Sequence, residues 1–540
     1  MKEIIYAIFL SFFLCGLCGN AEAKKKKEVK KAIKREVQTP YDKLFKGKKA
    51  FTVNGLMKMH LMAGKVYAEF PMELLNRDLA LTSSIENISD NGEGVVGQFA
   101  GRMNQFRFTL QDSMLQARLV RRYGLKNTGM GKNADQIIER SNTPGIFQSY
   151  KILAYTPDKK AVVVDMTELF LESSRLTNPF PSYAGNSLYG FVQRIHKFQS
   201  QRSELLGICG NDNSMSVCCN LGFNVDRLVF GSFMQAKDVP VSVTVNKILM
   251  LLPEDPMRPR LADSRIGVNA IIQTELPDVC QGIKPYYITK RWRIEPVDEI
   301  RYKRGEMVDV KKPIVFYIDT LMPDSWIKYV KAGAEAWNAA FEKIGLRNVV
   351  RTELFPKDSS FDAGDIHNSV IRYAPSWMYY PQYSMHTDPR TGEILNASVY
   401  LPANVASYFY TSRTEETMAV DPSVRKARLS EEQFGEMFKA KMMQAIGRCL
   451  GLTDNYAASS VYPVDSLRSA SFTRKYGVVA SVMDDFTCNK IAQPEDVKKG
   501  VVLVQQNLGP YDYEVIKYLY KPIMEVKHFR EEKAVLGQWI

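Results

Sequence analysis

Histidines are few in this sequence, and the side chains that most often bind metals or attack substrates form no common catalytic pattern. It contains no nucleophile elbow, no Gly-rich phosphate loop and no cysteine–histidine signature. No two of the five histidines have the spacing that would place them on one face of a helix. Isolated histidines are more often surface or hydrogen-bonded core residues than metal ligands, so we expect no metal site built on them. The five are His60, His196, His367, His386 and His528.

One short segment has a spacing that resembles that of a metal-binding motif. Gln444 and Arg448 are four residues apart, Gly451 follows, and Asp454 lies three residues beyond that glycine. Side chains four apart project from one face of a helix, and the glycine allows a sharp turn that returns a third side chain to the same point. The segment resembles the metzincin motif H-E-x-x-H-x-x-G-x-x-H, whose histidines hold zinc and whose glutamate acts as general base.

Further stretches resemble one bacterial family of large zinc-dependent metallopeptidases of the metzincin type, over nearly the whole mature chain. One of them, around Met483, looks like the Met-turn that forms a floor beneath the metal. The resemblance implies an α+β fold: a metzincin-like mixed sheet with packed helices at the C-terminal end, preceded by β-rich N-terminal domains. The stretches are 290–295, 312–319, 369–373, 388–395, 455–460, 462–464, 481–484 and 509–512.

The differences from the family fall on the residues that carry its chemistry. By the resemblance, Gln444, Arg448 and Asp454 stand where the three histidines would be, and Ala445 stands where the general base would be. Only Asp454 is of a type that binds zinc. Arg448 has no lone pair, and at ~3.5 Å and an effective dielectric constant of ~20 its charge would repel Zn²⁺ by on the order of 10 kcal/mol. We therefore expect zinc to be lost and no catalytic residue to remain.

Arg448 is expected to take the place of the metal cation. Because the ligand positions of the motif converge on one point, we predict a salt bridge between Arg448 and Asp454, with Gln444 hydrogen-bonded beside them. The alternative is a collapsed cleft in which the arginine and the aspartate are both exposed. Gly451 keeps its role in the turn, and Met483 can fill the space under the helix as a core residue without metal.

The hydrophobic patterns predict the elements that would position these residues. In the C-terminal half they indicate a strand at 313–319, a helix at 324–344, strands at 348–355, 369–373 and 394–401, and a helix from a capping box at 430–433 to 450. In the front half they indicate strands at 66–70, 106–110, 115–120, 161–164, 241–245 and 286–294, with a connection at 125–145. The domains assigned are β-rich regions at 41–135 and 136–310 and a degenerate metzincin-like domain at 311–525.

The N-terminal residues indicate export. Residues 1–23 are typical of a secretory signal peptide, which predicts a periplasmic or secreted protein, with lipoprotein anchoring at Cys18 as the alternative. Residues 24–40 form a basic linker that carries about half of the net charge of +13, and a charge run of this kind is usually solvated. We expect no nucleic-acid partner and no membrane span. An oxidising compartment permits disulfides among Cys209, Cys218, Cys219 and Cys280.

These observations favour a non-catalytic homologue that binds peptides or proteins, or that regulates an active relative. A metzincin cleft holds an extended peptide along an edge strand by backbone hydrogen bonds, and this needs no metal. The edge would be the strand at 369–373 or the strand at 394–401. The alternatives are a structural or assembly component of the cell envelope and an active metal-dependent peptidase. Members of the family generally run past the point where this chain ends, which leaves room for a partner chain.

Overall fold

The computed structural model describes residues 38–99, 103–120, 125–128, 132–173, 178–180, 192–277, 282–358, 361–376, 378–485 and 488–540. The predicted signal peptide, most of the basic linker and Cys280 lie outside these residues. The described chain is an α+β protein whose front half is rich in strands and whose C-terminal end is rich in helices, as the sequence predicts. Cys209, Cys218 and Cys219 are free thiols. No helix among the described residues is long and apolar enough to cross a membrane.

The front half consists mainly of antiparallel strands. The strands predicted before residue 125 and at 161–164 and 241–245 are confirmed, and the one predicted at 286–294 ends at residue 289. The prediction of a simple connection at 125–145 is wrong, because a short strand and a helix lie within it. The elements are α1 Pro40–Phe45, β1 Phe51–Val53, β2 Lys58–Met62, β3 Lys65–Pro71, β4 Leu79–Ile88, β5 Asn104–Gln111, β6 Met114–Leu119, β7 Leu125–Asn127, α2 Lys132–Ser141, β8 Gly145–Lys151, β9 Ala154–Tyr155, β10 Ala161–Asp165, α3 Thr167–Leu171, β11 Val192–Asn211, β12 Ser214–Val229, β13 Phe233–Leu251, β14 Ala270–Leu276 and β15 Lys284–Thr289.

Two antiparallel sheets make up most of this half. One has the strand order β1-β2-β3-β10-β9, and the other has the order β11-β12-β13-β4-β5-β6-β8. Phe70 of the first sheet and Phe108 of the second are buried with their ring centroids 4.8 Å apart, so the sheets share one core. The boundary drawn from the sequence at residue 135 falls inside this arrangement, because β4 to β6 and β11 to β13 belong to the same sheet.

The C-terminal half alternates strands and helices before it becomes helical. The strand predicted at 313–319 is confirmed, and so is the helix that begins after the predicted capping box. The single helix predicted at 324–344 is two helices, separated at residues 336–337. At this break the indole N–H of the buried Trp337 donates a hydrogen bond to the backbone carbonyl of Met443. The elements are α4 Glu299–Lys303, β16 Val308–Asp309, β17 Ile314–Ile318, α5 Asp324–Glu335, α6 Asn338–Glu342, β18 Leu346–Arg347, β19 Val350–Leu354, β20 Ser369–Ala374, β21 Gln382–Thr387, β22 Ile394–Pro402, α7 Val405–Thr417, α8 Glu431–Cys449, α9 Val464–Leu467, α10 Ala470–Tyr476, α11 Pro494–Lys498, α12 Pro510–Tyr520 and α13 Glu532–Trp539.

A five-stranded mixed sheet organises this half. Its order is β19-β17-β20-β22-β21; the first four strands are parallel, and β21 runs antiparallel to β22 at the edge. The strands at 369–373 and 394–401, predicted as alternatives for the edge, are both interior, so that prediction is wrong. The edge next to β22 is β21, which the sequence patterns did not reveal.

The mixed sheet is covered on both faces. Ile371 and Val399 face the helices and share a core with Val330 of α5 and Phe438 of α8. Tyr400 points the other way, where its hydroxyl donates to the carbonyl of Gly97 at 3.0 Å. The helices thus lie on one face and the N-terminal half on the other. The helix α13 adds Leu536 to the same core, so this unit extends past residue 525.

Candidate functional site

The helix α8 carries the motif residues and is fixed at both ends by local chemistry. At its start the Ser430 hydroxyl accepts from the Gln433 backbone N–H at 3.2 Å, and the Gln433 side chain accepts from the Ser430 N–H at 3.0 Å. At its end Gly451 has a φ of +93°, a conformation that favours glycine. A Cβ at this position would lie 2.2 Å from the carbonyl oxygen of Lys290. Gly451 therefore both ends the helix and allows the chain to cross closely over residue 290.

The turn brings Arg448 and Asp454 into contact. Nη2 of Arg448 lies 2.7 Å from Oδ1 of Asp454, and Nε donates to the same oxygen at 2.9 Å. Oδ2 of Asp454 accepts from the Tyr456 hydroxyl at 3.4 Å. The guanidinium carbon of Arg448 lies 5.8 Å from the ring centroid of Tyr383, on the edge strand β21. The side chains of Arg448 and Asp454 are 23% and 33% exposed, so solvent reaches the pair.

Gln444 does not lie beside this ion pair, contrary to the prediction. Its amide nitrogen donates to the backbone carbonyl of Asp484 at 2.9 Å, and its amide oxygen accepts from the Lys441 ammonium group at 3.3 Å. The oxygen and the nitrogen of this buried amide therefore both have hydrogen-bond partners other than Arg448 and Asp454, one helical turn away from Arg448. Ala445, which by the resemblance stands at the position of the general base, faces the hydrophobic core from α8. Its methyl group cannot accept a proton.

Lys441 also belongs to this group of side chains, although no sequence motif marked it. Lys441, Gln444 and Arg448 lie three and four residues apart on one face of α8, a spacing that could have revealed the first of them. The Lys441 side chain is only 7% exposed, and its ammonium group lies 3.1 Å from Asp485 and 5.6 Å from the ring centroid of Tyr408. This face of α8 thus carries two cations, each paired with an aspartate.

The turn at residues 481–484 packs directly beneath α8. Met483 is fully buried, and a Cβ on Gly447 would lie 2.4 Å from its sulfur and 2.6 Å from the indole of Trp337. The Asn455 N–H donates to the Met483 carbonyl at 3.0 Å, which ties the end of the motif to the turn. Met483 therefore fits the position of a Met-turn and, without metal, is a core residue under the motif helix.

Asp512 holds this turn in place, a role that the sequence alone did not reveal. Its carboxylate accepts from the Ser481 hydroxyl at 2.6 Å, from the Val482 N–H at 2.9 Å and from the Gly509 N–H at 2.7 Å. Burial outweighs these hydrogen bonds and raises the pKa of Asp512 from 3.8 to about 6. Its signals in the sequence were its place in the stretch 509–512, which resembles the metallopeptidase family, and its position as the third residue of a helix that begins at Pro510.

Four of the five histidines lie in separate hydrogen-bond networks elsewhere in the structure. His60 lies 2.9 Å from Glu69, His196 lies 2.8 Å from Glu93, His367 lies 2.7 Å from Asp365, and His386 lies 2.9 Å from the hydroxyl of Thr82. In the part of the chain that the structure describes, no three His, Cys, Asp or Glu side chains are grouped to hold a metal ion. The residues at 444–454 do not fit zinc either, because a guanidinium lies where a ligand would be required.

Comparison with known protein families agrees with this geometry in outline. Residues 426–540 match the family described as Met-zincin, residues 98–297 match a domain of unknown function (DUF5117), and residues 38–88 match a second such domain (DUF5118). No curated protein and no solved structure matches the chain. The C-terminal part of the chain is thus a metzincin-like domain.

Proposed function

We propose that this metallopeptidase-related protein is an exported pseudo-peptidase, which has lost zinc and peptide hydrolysis and which binds peptides in the former substrate cleft. The observation that carries the proposal is the ion pair between Arg448 and Asp454, in which Nη2 lies 2.7 Å from Oδ1. By the resemblance to the metzincin motif, these two residues stand at the positions of two zinc ligands. A divalent cation held there would face a permanent positive charge, and the only oxygen donor is already paired with that charge.

The loss of catalysis would not depend on the metal alone. The general base of the family is replaced by Ala445, whose methyl group cannot activate a water molecule. Gln444 is committed to Lys441 and to the 481–484 turn. A return to hydrolysis would therefore require the metal ligands and the base to be restored together.

Peptide binding is supported by the edge strand β21, which lies next to Arg448. Among the strands that the structure describes, β21 pairs with β22 alone, from Gln382 opposite Tyr400 to Thr387 opposite Ile394. An edge strand presents N–H and C=O groups on its free side, to which an extended peptide can add as a further strand. Tyr383 is 41% exposed on this strand and offers an aromatic surface beside the docked chain. Export rests on the signal-like sequence of residues 1–23 and is tested by the N-terminal sequence of the mature protein.

The experiment is a binding assay with two sets of extended peptides. In one set the backbone N–H groups of the odd-numbered residues are methylated, and in the other those of the even-numbered residues. A peptide paired with β21 directs every second N–H toward the strand, so methylation in one set removes hydrogen bonds of about 0.5–1.5 kcal/mol each. The other set leaves these bonds intact and is the matched control. We expect methylation in one set to abolish binding and in the other to preserve it. Equal effects in both sets, or no binding of any peptide, would contradict the proposal.

A further inference from the structure

The guanidinium group of Arg448 is only partly used by its partner. Nε and Nη2 both point to the single oxygen Oδ1 of Asp454, so the opposite edge of the group remains available. No residue that the structure describes accepts a hydrogen bond from Nη1. The side chain is 23% exposed, so solvent reaches part of it. Two parallel N–H groups on one edge of a guanidinium match the two oxygens of a carboxylate.

We infer that the former metal position is a carboxylate subsite, in which Arg448 binds the C-terminal carboxylate of a peptide that is paired with the edge strand β21. The inference rests on the proposed function, because it needs a peptide in the cleft. It adds the class of ligand: a free peptide C-terminus, rather than an internal stretch of a longer chain.

The position of Arg448 favours a main-chain carboxylate over one on a side chain. In a metallopeptidase the zinc polarises the main-chain carbonyl of the bound substrate, so the metal position lies beside the main chain of the ligand. Arg448 occupies the place of a zinc ligand and lies against Tyr383 of the strand that would pair with that main chain. A carboxylate at this point of a main chain is a C-terminus. A charged acceptor also binds a guanidinium more strongly than a neutral carbonyl does.

The charges around the subsite are balanced without this ligand. Asp454 is shared between Arg448 and the Tyr456 hydroxyl, and Lys441 is paired with Asp485. The nearest negative charge therefore lies on the far edge of the guanidinium, away from Nη1. Selectivity for a carboxylate would come from the directed N–H groups of Arg448 rather than from a general positive potential.

The experiment compares peptides of identical sequence with a free C-terminal carboxylate or a C-terminal amide, on the full chain, by fluorescence polarisation. We expect the amide to bind about tenfold more weakly, as for the loss of a hydrogen-bonded charge. In Arg448→Gln the free acid should bind only as well as the amide. Arg347→Gln is the matched control, because Arg347 forms an exposed ion pair with Asp309 on β16 and β18, and it should keep the preference.

A second variant and a third peptide distinguish loss of the carboxylate subsite from an unstable protein and from binding of a side-chain carboxylate. Asp454→Asn keeps Arg448 and removes its neighbouring negative charge, so the preference for the free acid should persist or increase even if Arg448→Gln is unstable. An amidated peptide that ends in aspartate carries a carboxylate on a side chain only. Full affinity of that peptide, or equal affinity of acid and amide for the native chain, would overturn the subsite while leaving peptide binding intact. Binding of neither peptide would overturn the proposed function as well.

Discussion

The packing of Gly447 against Met483 predicts a strong energetic coupling between the motif helix and the turn beneath it. Adding one methyl group in Gly447→Ala places a Cβ 2.4 Å from the Met483 sulfur and 2.6 Å from the Trp337 ring. Overpacking of this kind costs about 1–3 kcal/mol in the free energy of unfolding. Met483→Ala removes a fully buried side chain and should cost about 2–5 kcal/mol.

The double variant should cost less than the sum of the two single changes. Met483→Ala opens the space that the new methyl group needs on one side, while Trp337 still opposes it on the other. We therefore expect a favourable interaction energy of about 1 kcal/mol, within the range for residues in contact. The assay is urea unfolding followed by tryptophan fluorescence. All five tryptophans lie between residues 292 and 539, so the signal reports on the C-terminal half.

The matched control is Gly537→Ala in α13, where an added Cβ meets no atom within 4 Å. In a helix without steric conflict this change should be neutral or stabilise the protein by up to about 1 kcal/mol. Strict additivity of the Gly447 and Met483 changes would refute the reasoning. A cost for Gly537→Ala equal to that of Gly447→Ala would do so too, since the loss would then reflect the substitution rather than the contact.

Three further changes test the site at other points. Folding raises the pKa of Asp512 from 3.8 to about 6, so the folded state binds this proton more tightly than the unfolded state. The free energy of unfolding should therefore fall by roughly 3 kcal/mol as pH rises from about 4 to about 6. Asp512→Asn should flatten this part of the pH profile. Asp454→Asn should change the unfolding free energy by less than about 1 kcal/mol, because its ion pair with Arg448 is partly exposed. In Gly451→Ala, strain at positive φ alone should cost about 1–3 kcal/mol, and the clash with the Lys290 carbonyl should add to that cost. Thermal unfolding of the Asp454 and Gly451 variants checks both expected changes.

Features that depend on local sequence could be predicted. The start of α8 follows from Ser430 and Gln433, and its end follows from Gly451, because caps and positive-φ turns are decided within a few residues. The contact of Arg448 with Asp454 was predicted from the resemblance of residues 444–454 to the metzincin motif, whose ligand positions converge on one point.

Features that depend on distant parts of the chain could not be predicted. The amide of Gln444 is held by the backbone of residue 484, forty positions away, and nothing at 444–454 encodes that partner. The edge strand β21 has a polar, weakly alternating sequence, and its place is decided by pairing with β22. The strands at 369–373 and 394–401 are strongly apolar because they are interior, and an apolar pattern alone cannot separate interior strands from edge strands.

The central claim, that residues 444–454 no longer hold a catalytic zinc, is tested most directly on one preparation of the full chain. Bound zinc is measured after saturation with zinc and removal of the free metal, and peptide hydrolysis is followed before and after treatment with a chelator. We predict zinc far below one ion per chain and no hydrolysis that responds to the chelator. One zinc ion per chain, together with hydrolysis that the chelator abolishes and added zinc restores, would contradict the claim.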